Sequence, residues 1–285
     1  MNVNEATLLY ADEYSRLAET YDRVVVPRFE PIARAVVEVL APEPGEMVLD
    51  VATGTGLLAC LLAPRTAPAQ LVAIDLADEA LRVASYRAGN AGIRNIRFEM
   101  MDARNIVYRS ALFDAIGSNL GIPNVGYDRT FYEIHRLLKP GGRFVFSEWD
   151  AKPTPTRAAY LQALEAHRTE TPSKILGELR EAVLLNRTAP EAKDLTNPAA
   201  VAKRLGNLGF ASVEDVVRTF PVRFADAKDL IAFETAWGWD EREVAEMSAE
   251  QRAAFENDLA ERLGPHSGPR GIDDKWTVHV TVART

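Results

Sequence analysis

Over the first forty residues, apolar side chains return every three or four positions, the interval that lines one face of a helix. Leu17, Tyr21 and Val24 mark such a face within the stretch from Glu5 to Leu40. Pro27 starts a second helix whose apolar set is Phe29, Ile32, Ala33, Val36, Val37 and Leu40. Pro42, Pro44 and Gly45 then turn the chain. Beyond them the rhythm changes to short apolar runs separated by helical stretches. Met47 to Val51 reads as a buried strand, followed by a glycine-rich turn and a helix to about Leu62. A loop with Pro64 and Pro68 leads to a strand from Leu71 to Ile74 that ends at Asp75. A helix carrying Ala80, Leu81, Ala84 and Ala88 runs past Gly92 into a strand from Ile96 to Met100. A fourth strand covers Leu112 to Ile116, and a helix follows from about Arg129 to Leu138. The tight turn from Lys139 to Gly142 opens onto a fifth strand, Arg143 to Phe146. Strands alternating with helices of this length predict βαβ units and a parallel sheet covered on both faces.

After Trp149 the alternation breaks. Residues 152–197 hold Pro153, Pro155 and Pro172 and two helical stretches, around Tyr160 to His167 and Ile175 to Leu185. Asn197 and Pro198 cap a helix with Val201, Leu205 and Leu208 that ends at Gly209. Phe220, Val222 and Phe224 alternate with Pro221 and Arg223, and Val278, Val280 and Val282 with His279 and Thr281. That is the period of half-buried strands, and the two predict an antiparallel hairpin at the sheet's C-terminal edge. Between them, Ala225 to Asp274 reads as a helical insertion holding Trp237 and Trp239. The predicted class is α/β, a doubly wound sheet of seven strands with N-terminal helices and helical cap insertions.

Composition narrows the partners. Hydrophobic residues make up 47% and charged residues 26%, the balance of a globular chain. A formal net charge of −8, with no basic stripe to offset it, argues against nucleic acid. No cationic start precedes an apolar run and no stretch is long enough to span a bilayer. Neither a signal peptide nor a membrane partner is therefore expected, and the cytoplasm is the expected address. Cys60 is the single cysteine, which leaves no disulfide, zinc or iron–sulfur site; no metal is expected.

Candidate chemistry gathers at the glycine turn, where Gly54-Thr55-Gly56-Leu57-Leu58-Ala59 matches G-x-G-x-x-G/A. Glycine lets a ligand lie on the backbone, and the helix that follows aims free N–H groups at its oxygens. Asp50 lies inside the preceding strand end. Asp75 ends the next strand, where a carboxylate accepts both hydroxyls of a ribose. Asp102 follows the third strand, placed to accept from an adenine amino group, and Leu137-Leu138-Lys139-Pro140-Gly141-Gly142-Arg143 leads into the fifth. Together these resemble the class I S-adenosylmethionine-dependent methyltransferases, which have a Rossmann-like fold. The subgroup most like this chain is the small-molecule one typified by the ubiquinone/menaquinone biosynthesis C-methyltransferases. Ala18-Glu19-Thr20-Tyr21-Asp22 is similar to part of the helix that precedes the domain in that group. The likeness spans roughly Ser15 to Glu148, with one departure: many relatives have glycine where this chain has Ala52.

The resemblance implies S-adenosylmethionine as cofactor and distributes its contacts. Gly54 and Gly56, with Ala52 and Thr53, let the loop pass beneath its amino-acid end, and Asp50 orders that loop. Asp75 holds the ribose diol and Leu76 lies on an adenine face. Asp102, between Met101 and Ala103, bonds the adenine amino group while Ala103 packs against the ring. Asn119 sits where sulfonium and acceptor meet, and Tyr21 closes the site from the N-terminal helix. The expected division is 1–45 as helices covering the cofactor site, 46–150 as the cofactor-binding core and 151–196 as a helical insertion. Residues 197–224 form the last helix and sixth strand, 225–274 a helical cap, and 275–285 the seventh strand.

Methyl transfer is an in-line displacement whose main demand is an acceptor held against the methyl carbon. The expected acceptor is a small, apolar or aromatic organic molecule, methylated on O or C and contacted by Glu148, Trp149 and Trp237. Ser118-Asn119-Leu120-Gly121-Ile122-Pro123 lacks the Asn/Asp-Pro-Pro-aromatic motif of amino-methylating nucleic-acid enzymes. Cys60 is not where cytosine C5 chemistry needs a thiol. His167, His266, Glu148 and Glu170 are candidate bases that the sequence does not rank, so no catalytic residue is assigned. Two other functions share these features. One is a cofactor-binding protein with a non-methylating role, a cyclase or binding protein. The other is an NAD-dependent oxidoreductase, which leaves Asp102 and the turn before the fifth strand unexplained. A monomer or homodimer is expected.

Overall fold

The computed structural model describes residues 1–123, 126–189 and 194–285; residues 190–193 of the expected insertion at 151–196 lie outside it. Two helices open the chain, α1 (Val3–Val24) and α2 (Val26–Leu40). Asn2 and Glu5 cap α1 reciprocally: the Asn2 side chain accepts from the Glu5 amide at 3.0 Å, and the Glu5 carboxylate from the Asn2 amide at 2.8 Å. Pro27 falls in the first turn of α2, where its missing N–H loses no helical bond. The alternating part comprises β1 (Val48–Val51), α3 (Leu57–Thr66), β2 (Leu71–Asp75), α4 (Asp78–Asn90) and β3 (Ile96–Met100). It continues with β4 (Phe113–Asn119), α5 (Tyr127–Leu137) and β5 (Leu138–Trp149). The remainder is α6 (Pro155–His167), α7 (Lys174–Thr188), α8 (Pro198–Leu208), β6 (Ser212–Phe224), α9 (Ala227–Glu234), α10 (Asp240–Ala245), α11 (Ala249–Leu263), β7 (Ser267–Gly268) and β8 (Gly271–Arg284).

The strands form one sheet in the order β3-β2-β1-β4-β5-β8-β6, with the two-residue β7 attached to β8. β3 to β5 along that path are parallel, and β8 runs antiparallel to both β5 and β6. Alternation along the strands sorts their side chains to two cores. Val48, Ala73, Ala115 and Val145 pack with α2, α3, α6 and α11, whereas Leu49, Val51, Ile74, Ile116 and Phe144 pack beneath α5 and α8. Strand order reverses between β1 and β4, and a crevice opens there at the carboxyl ends of the strands.

Four boundaries differ from the sequence reading. The helix α3 continues through Pro64 to Thr66 because Ala63 and Thr66 are both buried in its last turn, where proline removes little. β6 and β8 pair along their whole length, from Ser212 with Arg284 to Phe224 with Ile272. Residues 271–274 are therefore strand, not helical cap. Pro221 is tolerated because β6 is an edge strand. β7 is an eighth strand, folded onto β8 through the left-handed Gly271 (φ 107°). Finally, the turn at 139–142 is a bulge inside β5, since Leu138 pairs with Phe113 and Arg143 with Ala115.

Candidate functional site

The crevice is a cavity of about 380 Å³. Its floor is the loop after β1, which three left-handed residues curl back on itself: Ala52 (φ 54°), Gly54 (φ 54°) and Gly56 (φ 81°). The Thr53 amide donates to Ile74 O at 2.9 Å and the Gly56 amide to Thr53 O at 2.9 Å. Asp75 clamps the loop from β2. Its Oδ2 accepts from the Gly54 amide at 2.7 Å and its Oδ1 from the Ala77 amide at 2.9 Å. Burial still pushes the Asp75 carboxyl above the usual carboxylate range.

Asp50 lies fully buried under the loop. Its Oδ2 accepts from Thr53 Oγ1 at 2.6 Å, while Oδ1 has no partner among the described residues. Burial pushes its carboxyl up to about 7. A half-satisfied, buried carboxylate facing a cavity is stabilised by a cationic ligand, so the site fits the sulfonium and ammonium of S-adenosylmethionine.

Tyr21, Asp50, Ala52, Thr53, Gly54, Asp75, Leu76, Met101, Asp102, Ala103 and Asn119 all line this cavity, together with Glu148, Trp149 and Trp237. Gly56 does not. A Cβ at Gly56 would lie 2.8 Å from Ala84 Cβ, so the close approach of α3 to α4 requires glycine at this position. Ala52 is accommodated by a different glycine: a Cβ on Gly121 would come within 2.6 Å of the Ala52 methyl. Asp102 is gripped by Arg104, with Nε to Oδ1 at 3.0 Å and Nη2 to Oδ2 at 2.7 Å. Desolvation opposes its charge, and Arg104 outweighs it, so Asp102 stays below the usual range. Ser147 Oγ fixes the end of β4, donating to Asn119 Oδ1 and accepting from the Leu120 amide, both at 3.0 Å.

Phe29 is the centre of the aromatic wall. Its ring lies 6.4 Å from Tyr21, 5.7 Å from Trp149 and 6.1 Å from Trp237. Glu148, at the end of β5, is 8% exposed; its Oε1 accepts from the Trp149 amide at 2.8 Å. Burial pushes its carboxyl up to about 7. Of the four candidate bases, Glu148 alone lines the described cavity; His167 instead pairs with Asp258 at 3.1 Å.

Sequence reasoning passed over Tyr10, Tyr14 and Asn186, which also line the cavity, as does Trp239, named in sequence only as part of the helical insertion. Asn186 Nδ2 donates to the Tyr10 hydroxyl at 2.5 Å, and the Tyr10 ring lies 5.3 Å from Trp239. Tyr10, Tyr14 and Tyr21 share one stripe of α1, a signal present in their spacing; nothing local marks Asn186. Among the described residues no group of three or more His, Cys, Asp or Glu could hold a metal ion. No helix there is long and apolar enough to cross a membrane.

Residues 48–142 match the family described as a methyltransferase domain. Nocamycin O-methyltransferase of Saccharothrix syringae is 25% identical, over 95% of this chain and 96% of that protein. Demethylmenaquinone methyltransferase of Thermus thermophilus is 34% identical over 45% of this chain and 56% of that protein, about half of its length. The solved structure of the YcgJ protein from Bacillus subtilis shares the fold, with a TM-score of 0.57 and 16% identity over 89% of this chain and 97% of that one.

Proposed function

We propose, for a chain that belongs to the S-adenosylmethionine-dependent methyltransferases, that it transfers the methyl group to an oxygen or carbon of a small, apolar or aromatic acceptor. When bound, S-adenosylmethionine supplies a methyl group already activated on a sulfonium. The protein's part is to bind, orient and keep water out. Asp50 offers its free Oδ1 to the cationic end. Each Asp75 oxygen that holds a backbone N–H keeps a lone pair for a ribose hydroxyl. Leu76, Met101 and Ala103 present an apolar slot for a flat base whose amino group Asp102 accepts.

One observation carries this reading: a single cavity joins those three carboxylates to an aromatic wall, with Asn119 also in its lining. Likeness along nearly the full length to an O-methyltransferase favours an oxygen acceptor. The reading extends to a cytoplasmic monomer or homodimer in which parts of 151–196 and 225–274 cover the acceptor. Calorimetry is expected to show micromolar binding of S-adenosylhomocysteine and none of NAD. Tighter binding of NAD would reverse the assignment. S-adenosylhomocysteine binding, with no gain of one CH2 in mass across hydroxylated aromatic and quinol acceptors, would favour a non-methylating role.

A further inference from the structure

Two polar groups on the acceptor side of the cavity have no work to do within the protein. Glu148 is more than nine-tenths buried. It spends Oε1 on the adjacent Trp149 amide, while Oε2 has no hydrogen bond among the described residues. Trp237 Nε1 is a buried N–H donor with no partner among the described residues, and its ring contacts Phe29 edge-on at 6.1 Å and the Arg157 guanidinium at 5.4 Å. A buried donor left unpaired carries a desolvation cost that a ligand oxygen recovers. Both side chains line the same cavity as Asn119, and the wall between them is aromatic.

Resting on the methyl-transfer reading, we infer that Glu148 and Trp237 form an acceptor subsite for a planar aromatic hydroxyl compound that also carries a carbonyl oxygen. Glu148 Oε2 takes the hydroxyl proton and Trp237 Nε1 donates to the carbonyl. The acceptor oxygen forms its new bond to the methyl carbon as the sulfur–carbon bond breaks, the electron pair staying on sulfur as a neutral thioether. The proton on Glu148 then passes to solvent. Charged neighbours set the base. Its cross-strand partner on β8, His279, favours the carboxylate, and is itself held by Asp215 of β6 at 2.7 Å and Asp150 at 3.5 Å.

The test uses the whole protein with 6-acetyl-2-naphthol and with 2-naphthol, which lacks the carbonyl. Tryptophan fluorescence follows binding to the S-adenosylhomocysteine complex, and mass spectrometry follows methylation. The wild type is expected to bind the acetyl compound about tenfold more tightly than 2-naphthol, the value of one neutral hydrogen bond. Trp237→Phe is expected to abolish that preference while raising acceptor KM more than it lowers kcat. Glu148→Gln is expected to lower kcat by about 100-fold or more, with S-adenosylhomocysteine affinity unchanged and acceptor KM within a few-fold. It is also expected to lose the rise of kcat/KM through pH 7. Equal wild-type binding of the two naphthols, or Glu148→Gln with unchanged kcat and pH profile, overturns the subsite. If S-adenosylhomocysteine binds but neither naphthol does, the acceptor class falls and the methyl-transfer reading stands. If S-adenosylhomocysteine itself does not bind, the earlier reading falls.

Discussion

Asp50 and Asp75 both face the cavity, yet they stand in different relations to stability. Asp75 uses each oxygen to clamp a backbone N–H, so Asp75→Ala should loosen the loop as well as the ligand. Its S-adenosylhomocysteine affinity is expected to fall by roughly 2–4 kcal/mol in calorimetry, with a modest loss of Tm. Asp50 is raised from 3.8 to about 7 by burial, so its contribution to stability is complete at acid pH and lost as pH rises towards 7. Above that the folded chain carries a buried charge whose hydrogen bonds do not offset its desolvation. Asp50→Asn should therefore be more stable than the wild type at pH 8, by an amount on the order of a few kcal/mol seen as a higher Tm, and much less so at pH 4. The same variant should bind S-adenosylhomocysteine more weakly. A variant no more stable at pH 8 than the wild type would show that Asp50 is not charged there. Residues such as these were legible because Asp50 lies just before the glycine turn and Asp75 ends the strand after it, a local pattern. Asn186 was not, since it reaches the cavity from α7, whose placement depends on tertiary packing.

Among the elements, the βα alternation to Trp149 could be read directly because buried parallel strands are short, apolar and separated by helices of regular length. The hairpin of β6 and β8 was half hidden. Along β6, exposed Glu214, Asp215, Arg218 and Arg223 break the apolar alternation, as suits an edge strand that must not pair with another chain. One glycine of the motif also has a packing role that the motif does not announce, since Gly56 sits where two helices meet. Gly56→Ala would place a methyl 2.8 Å from Ala84 Cβ at a left-handed backbone position. Roughly 1–2 kcal/mol of backbone cost adds to about 1–3 kcal/mol of overpacking. Urea denaturation should show that loss with an unchanged m-value. Gly89→Ala, at a helical glycine with open space around it, should show none of it.

At the scale of the whole molecule, the cover of the cavity is tied down by charge. Glu13 of α1, 3% exposed, receives Arg16 at 2.8 Å and Arg242 of α10 at 2.6 Å. Arg16 also reaches Glu241 at 2.6 Å, and Arg180 of α7 reaches Glu243 of α10 at 2.6 Å. Helix α10 has six residues and only Val244 among its buried apolar side chains, so these bridges rather than a core of its own hold α1, α7 and α10 together. Segments held this way open at lower free energy than the sheet beneath them, which is what a cover that admits an acceptor requires. Desolvation opposes the charge of Glu13, but its two arginines outweigh it and keep its carboxyl below 4.5. The brace therefore persists at neutral pH and is lost only as pH falls through that lowered value. Glu13→Gln removes the buried charge of this brace; Arg242 loses its carboxylate and Arg16 keeps Glu241, both guanidiniums being partly exposed, so the change is about 1–3 kcal/mol. Because the loss is confined to the cover, Tm should fall by less than that figure implies. Protease cleavage within 234–249 should accelerate and S-adenosylhomocysteine should dissociate faster, while far-ultraviolet circular dichroism stays near wild type. Unchanged cleavage and dissociation rates in a folded Glu13→Gln protein would mean that the cover is held by its aromatic contacts, Tyr10 with Trp239 and Phe29 with Trp237, instead of by the charges.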